Sequence, residues 1–159
     1  MTPMEIHATN DFAASVPEVF AMLTDRVFLR AVCLASDPIE HSVEVAGLHT
    51  STRRVLPTPS VVSRFTGPTM AVIDEIVWAA EHTESGRDGT TLVRVEGLPA
   101  ELVGTVRLAA GGRGATLHYD GELTVRVPIL GPGLAKQAAP LLLEALEIQQ
   151  RVGDEFLAR

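Results

Sequence analysis

A single cysteine, Cys33, in 159 residues excludes an internal disulfide framework and any cysteine-rich zinc site. Aromatic residues are scarce, with five Phe, one Trp and one Tyr. The buried area that rings usually supply must therefore come from many smaller aliphatic side chains. Basic residues are in deficit, 13 Lys and Arg against 20 Asp and Glu, for a formal net charge of −7. Without a basic cluster the chain has no electrostatic footprint for nucleic acid or an anionic membrane. No apolar run approaches the ~20 residues of a membrane-spanning helix. The first twelve residues mix Glu5, His7, Asn10 and Asp11 with apolar ones, unlike a signal peptide. What is present is 46% hydrophobic residues in a length that fits one domain. Folding at this size buries roughly two-thirds of the chain's surface. The expectation is one soluble, cytoplasmic domain over residues 1–159, monomeric or homodimeric and without stable membrane insertion.

Residues 4–12 alternate, with Ile6, Ala8 and Phe12 opposite Glu5, His7, Thr9 and Asp11, which predicts a strand with one wet face. Ser15-Val16-Pro17-Glu18 reads as a helix start: Ser15 caps, Glu18 reaches back, and Pro17 is harmless in the first turn. Val16, Val19, Phe20, Leu23 and Val27 follow at helical spacing. A second short helix covers Phe28, Leu29, Val32 and Cys33 until Asp37-Pro38 stops it. From Ile39 the period changes to two, and successive strands are expected with few interruptions. A loop or short irregular helix falls over the proline-rich stretch 57–68, and a long apolar strand runs from Met70 to His82. A hairpin turn is predicted over 85–89 at Asp88-Gly89, and another at Gly111-Gly112-Arg113-Gly114. The last strand alternates most cleanly. Ala115, Leu117, Tyr119, Gly121, Leu123, Val125 and Val127 interleave with six polar residues from Thr116 to Arg126. After Leu130-Gly131-Pro132-Gly133 one long helix is predicted, with Leu134, Ala138, Leu141, Leu142, Ala145, Leu146, Gln149, Val152 and Phe156 on its apolar stripe and Pro140 as a kink.

A wet-faced antiparallel sheet must cover its dry face, and the last helix is the only predicted element long enough to do so. The fold class is therefore α+β. A curved antiparallel sheet of about seven strands grips one long C-terminal helix across its concave face, and two short N-terminal helices close one end. This order resembles the START-like, or helix-grip, superfamily that includes polyketide cyclase-like proteins. In detail it is similar to a bacterial family of unknown function within that superfamily. The resemblance is carried by the opening strand into Ser15-Val16-Pro17-Glu18-Val19-Phe20 and by the 57–68 stretch before the strand holding Trp78. The Leu130-Gly131 turn into a helix ending in Gln149 to Phe156 completes it. It implies a pocket for a hydrophobic ligand between the long helix and the sheet, and no particular chemistry.

None of the five histidines has the spacing of a metal site. His41 shares parity with Ile39, Val43 and Val45 and is expected to point inward, where a neutral imidazole needs a partner. Cys33 reads as a small buried hydrophobe. Asp74 and Glu75 interrupt an apolar strand, so one of them faces the dry side unless a bulge intervenes. An inward carboxylate there has a raised pKa. Arg54 and Arg64, with Arg53, flank the proline-rich stretch and are either solvated or a pocket rim that meets a ligand's carboxylate. Trp78 and Tyr119 are the only aromatic residues with a polar handle. Small residues on the dry face, including Gly97, Gly104 and Gly121, oppose Ala138, Leu142, Ala145 and Leu146 and leave room for a cavity.

The pocket candidates are thus His41, Trp78, Leu102, Val106, Tyr119, Leu123, Leu142 and Leu146, with Arg54, Arg64 and Asp74 at its rim and access beside residues 57–68 and the start of the long helix. No catalytic residue, metal or cofactor is assigned. The expected role is binding or carriage of a small hydrophobic molecule or lipid. The alternatives are a cyclase/aromatase-like enzyme using the same polar groups, with Tyr119, His41 or Asp74 as acid or base, and a ligand-free interaction module with a filled core.

Overall fold

The computed structural model describes residues 3–159, apart from the side chains of Val61, Phe65 and Thr66. Strand β1 (Met4–Phe12) leads into α1 (Val16–Leu23) and α2 (Arg26–Ala35). Strands β2 (Glu40–Ala46) and β3 (His49–Pro57) precede a short helix α3 (Ser60–Thr66). Four long strands follow, β4 (Thr69–Thr83), β5 (Gly86–Val95), β6 (Ala100–Gly111) and β7 (Gly114–Val125), and then α4 (Gly131–Leu157). All neighbouring strands pair antiparallel in the order β1-β7-β6-β5-β4-β3-β2. The 27 residues of α4 extend about 40 Å, enough to cross the sheet's concave face.

Local chemistry explains most boundaries. The Ser15 hydroxyl accepts from the Glu18 backbone N–H at 3.3 Å, and a Glu18 carboxylate oxygen accepts from the Ser15 backbone N–H at 3.2 Å. This is the reciprocal cap expected from the sequence. Asp25 caps α2 in the same way, accepting from the Val27 N–H at 2.8 Å.

The β4–β5 hairpin departs from expectation. It turns at Glu84 and Ser85, and Asp88-Gly89 lies inside β5 instead. The reason is packing around Trp78, whose backbone pairs with Gly89. A Cβ on Gly89 would come within 3.1 Å of the Trp78 ring and 2.9 Å of Val106, so glycine makes room for the indole. The register then shifts between Trp78 and His82, a bulge that sharpens the local twist.

A second glycine pair bends the sheet. Gly104 and Gly121 are cross-strand partners, and a Cβ on Gly104 would fall onto the Asp120 carbonyl oxygen. Two strands without side chains approach closely there and curl around α4.

The core has two parts. One holds Phe12, Val19, Phe28, Trp78, Leu108, Leu117 and Val152, and the other Ile6, Leu102, Leu123, Val125, Leu134, Ala135 and Ala139. Helix α4 packs on both, its C-terminal half through an edge-on contact of Phe156 with Phe28. The stripe is rotated slightly from the expected one: Ala135 and Ala139 are buried while Leu141 is 44% exposed. Polar contacts lock α4 to the sheet edge. The Gln150 side chain accepts from the Asp11 backbone N–H at 2.7 Å and donates to the Asp11 carbonyl at 2.7 Å. It thus satisfies an edge strand that would otherwise present unpaired backbone groups. Among the described residues no helix is long and apolar enough to cross a membrane.

Candidate functional site

Between the two parts of the core lies a cavity of about 100 Å³. The sheet contributes Ile6 of β1, Thr50, Thr52 and Arg54 of β3, Asp74 and Ile76 of β4, Thr91 and Val93 of β5, Leu102 of β6, and Tyr119 to Gly121 of β7. Helix α2 adds Leu29, Val32 and Cys33, and α4 adds Leu142, Ala145, Leu146, Ile148 and Gln149. Its origin is visible in the residue sizes. At mid-sheet the inward positions carry Thr50, Thr52, Thr91 and Gly121, and the helix position above them carries Ala145, so α4 rests on larger side chains at either end and spans a gap.

The polar groups converge from different elements. Strict alternation along β4 before the bulge turns Asp74 inward and Glu75 to the opposite face, where Glu75 lies 3.8 Å from His49. Thr52 pairs with Asp74 across the β3–β4 ladder, and Arg54 lies two residues along the same face. Burial pushes the Asp74 carboxyl above its ordinary range; the Arg54 guanidinium opposes that rise, and Glu75 adds to it. Among the described residues nothing hydrogen-bonds or ion-pairs with Asp74 or Arg54. Burial also pushes the Cys33 thiol up, so it is a wall group and not an activated nucleophile.

Tyr119 is held by a chain of bonds that fixes its orientation. Asn10 Nδ2 donates to the Leu146 carbonyl at 3.1 Å, which turns Asn10 Oδ1 toward Gln149. Gln149 Nε2 donates to Asn10 Oδ1 at 2.8 Å and to Tyr119 Oη at 2.9 Å. The Tyr119 oxygen is therefore an acceptor, and its own proton has no acceptor among the described residues. Burial, with the Asp74 charge adding to it, raises the phenol above its ordinary value, so it remains an O–H donor.

Of the residues expected at the pocket, Leu102, Tyr119, Leu142, Leu146, Arg54 and Asp74 line the cavity. Trp78, Val106 and Leu123 face the same side but are sealed into the core. Trp78 packs edge-on against Phe20 at 5.5 Å, with its indole N–H buried and unpaired. His41 has the expected parity, paired with Arg54, but on edge strand β2 it is half-buried outside the cavity. Arg64 is exposed on α3, and none of the described side chains of 57–68 contributes to the wall. The side of the cavity is closed by α2 instead. The sequence reading passed over Asn10, Gln149 and the threonines at 50, 52 and 91. Parity carried a signal for two of them, because Thr50 and Thr52 share the face of Leu48 and Arg54.

A wider depression of about 540 Å³ opens on the convex face between Pro3, Glu101, Val103, Glu122, Thr124 and Arg126. Within it Arg126 pairs with Glu101 at 3.0 Å, and both side chains are solvated. Among the described residues no three His, Cys, Asp or Glu side chains converge as metal ligands.

Comparison with known proteins places this geometry. No curated protein sequence matches the chain. Solved structures do match in fold. TTHA0849 from Thermus thermophilus is 21% identical with a TM-score of 0.63, over 96% of this chain and 95% of that one. Ms6760 from Mycobacterium smegmatis is 13% identical with a TM-score of 0.59, over 99% and 97%. The di-domain ARO/CYC protein StfQ of the steffimycin biosynthetic pathway is 13% identical with a TM-score of 0.62, over 97% of this chain and 50% of that one. At these identities the likeness is one of fold, and it bears out the helix-grip fold expected from the sequence. The family described as "Protein of unknown function (DUF2505)" matches residues 7–157, nearly the whole chain. With a helix-grip fold and an interior cavity set with polar groups, this chain belongs to the DUF2505 family.

Proposed function

We propose that this protein binds a small, largely apolar molecule in the cavity between α4 and the sheet. One observation carries the reading. A space walled by Leu102, Leu142 and Leu146 contains a half-buried arginine and a half-buried carboxyl group that no described residue hydrogen-bonds. Both groups are free to meet an incoming molecule. An apolar space with a few convergent polar groups is also the usual make-up of a ligand site. The volume favours a small molecule over a lipid. About 100 Å³ is below the ~300 Å³ at which pockets for drug-sized ligands begin.

The test is native mass spectrometry of gently purified protein, with organic extraction of whatever co-purifies, alongside thermal-shift screening of small apolar compounds. A stoichiometric adduct, or saturable stabilisation that is lost in Ala145→Leu, supports the reading. Gly121→Phe fills the same space from the sheet side. A clean apo mass with no compound stabilising the fold overturns it.

A further inference from the structure

The polar groups that face the cavity are unequal in sign and in donor character. Arg54 contributes a permanent cation with N–H donors and no acceptor. Tyr119 contributes an O–H whose oxygen is already committed to Gln149. Thr52 contributes a hydroxyl next to Asp74 across the ladder. Asp74 is the one acidic group in the wall that the β4 alternation turns inward. In its neutral form it too is a donor, and only in its ionised form a strong acceptor. His41 shares the face but stands outside the cavity, and Glu75 points away on the opposite face.

A cation entering this space would meet Arg54. A neutral hydroxyl would leave the guanidinium without a charged partner. A carboxylate accepts from Arg54 with two oxygens, and the Tyr119 proton can point at the same group. We infer that the ligand is a small monocarboxylic acid, its carboxylate held by Arg54 and Tyr119 and its apolar body against Leu102, Leu142 and Leu146. The inference rests on the cavity being a ligand site and names what that site takes. The volume sets the size. About 100 Å³ lies below the ~150 Å³ of an apolar cavity that admits benzene, so the body is a short alkyl chain and not a ring.

The test compares hexanoate, 1-hexanol and hexylamine by calorimetric titration of the intact protein, with benzoate as an acid whose ring the volume is expected to reject. Hexanoate is expected to bind at least about tenfold more tightly than hexanol, the discrimination of one charge-assisted contact. Arg54→Met is expected to remove that advantage while leaving hexanol affinity within about twofold, and Arg54→Lys to restore it in part. Asp74→Asn keeps a donor and is expected to bind hexanoate at least as tightly as the wild type. If hexanol or hexylamine binds as well as hexanoate, or Arg54→Met weakens acid and alcohol equally, the carboxylate assignment fails while the cavity remains a ligand site. If none of the three binds, the reading of the cavity as a ligand site fails with it. The wild-type comparison needs no variant, so it stands even where a substitution disturbs folding.

Discussion

Replacing Asp74 by Asn exchanges an interior carboxyl for an amide of nearly the same shape, and its effect on stability has a definite sign. Burial raises the folded-state pKa of Asp74 above its ordinary value of 3.8, and Arg54 offsets that rise only in part. A group whose folded pKa is raised contributes stability that is fully present below its unfolded value. That stability is lost as pH climbs through the folded value. Above the folded value the wild type carries the whole penalty, and Asn carries none of it. Each pKa unit of the rise corresponds to about 1.4 kcal/mol. In a protein of this size about 1 kcal/mol moves Tm by roughly 2–4 °C, so each unit appears as roughly 3–5 °C. Melting curves of both proteins across about pH 4 to pH 8 read this directly. Asp74→Asn is expected to melt above the wild type at neutral pH, the gap closing as pH falls toward the ordinary carboxyl value. The plateau gap, divided by the conversion above, measures the rise. In an Arg54→Met background the gap is expected to widen, because the offsetting cation is gone. A gap independent of pH, or a variant that melts lower at neutral pH, would refute the argument that Asp74 is held in a desolvated interior.

Three further outcomes follow from the packing. Ser15→Ala removes the side-chain half of the α1 cap and is expected to lower stability by about 1 kcal/mol in urea unfolding; no loss would mean that α1 is set by its apolar face alone. Gly153→Ala places a methyl in the ring of Phe12 beneath α4. Overpacking of about 1–3 kcal/mol is expected to exceed the gain of about 1 kcal/mol in helix propensity, so a variant more stable than the wild type would contradict this contact. Trp78, the single tryptophan, has a buried and unpaired indole N–H. Its emission is expected well to the blue of free tryptophan and to shift red on unfolding, and a native spectrum like that of the free indole would show that the ring is not sealed against Phe20.

The elements were legible because each rests on a local rule. The Ser15–Glu18 box, the period-two patterns of β1, β6 and β7, and the apolar stripe of α4 are short-range consequences of side-chain chemistry. The inward turn of Asp74 was legible as an alternative, since only an uninterrupted β4 could produce it, and the register shift proved to lie beyond it, after Trp78. Asp88-Gly89 does not turn, although that pair normally marks a hairpin. Here Gly89 answers instead to the bulk of Trp78 on the neighbouring strand. His41, Trp78, Val106 and Leu123 had the parity of the cavity without its position. Parity states which face a side chain takes and not which side chain stands opposite.

By itself, then, the sequence determined the kind of each element, the face each one buries, and the order that makes a helix gripped by an antiparallel sheet. These follow from periodicity and capping, which act over a few residues. Tertiary structure alone decided where the two parts of the core stop short of each other. It also decided that α2 closes one side of the cavity, and that Arg54, Asp74, Tyr119 and Gln149 meet within it. Those residues come from β3, β4, β7 and α4. Their meeting depends on strand register and on the height at which α4 rests on its flanking side chains, quantities that no single segment of the chain contains.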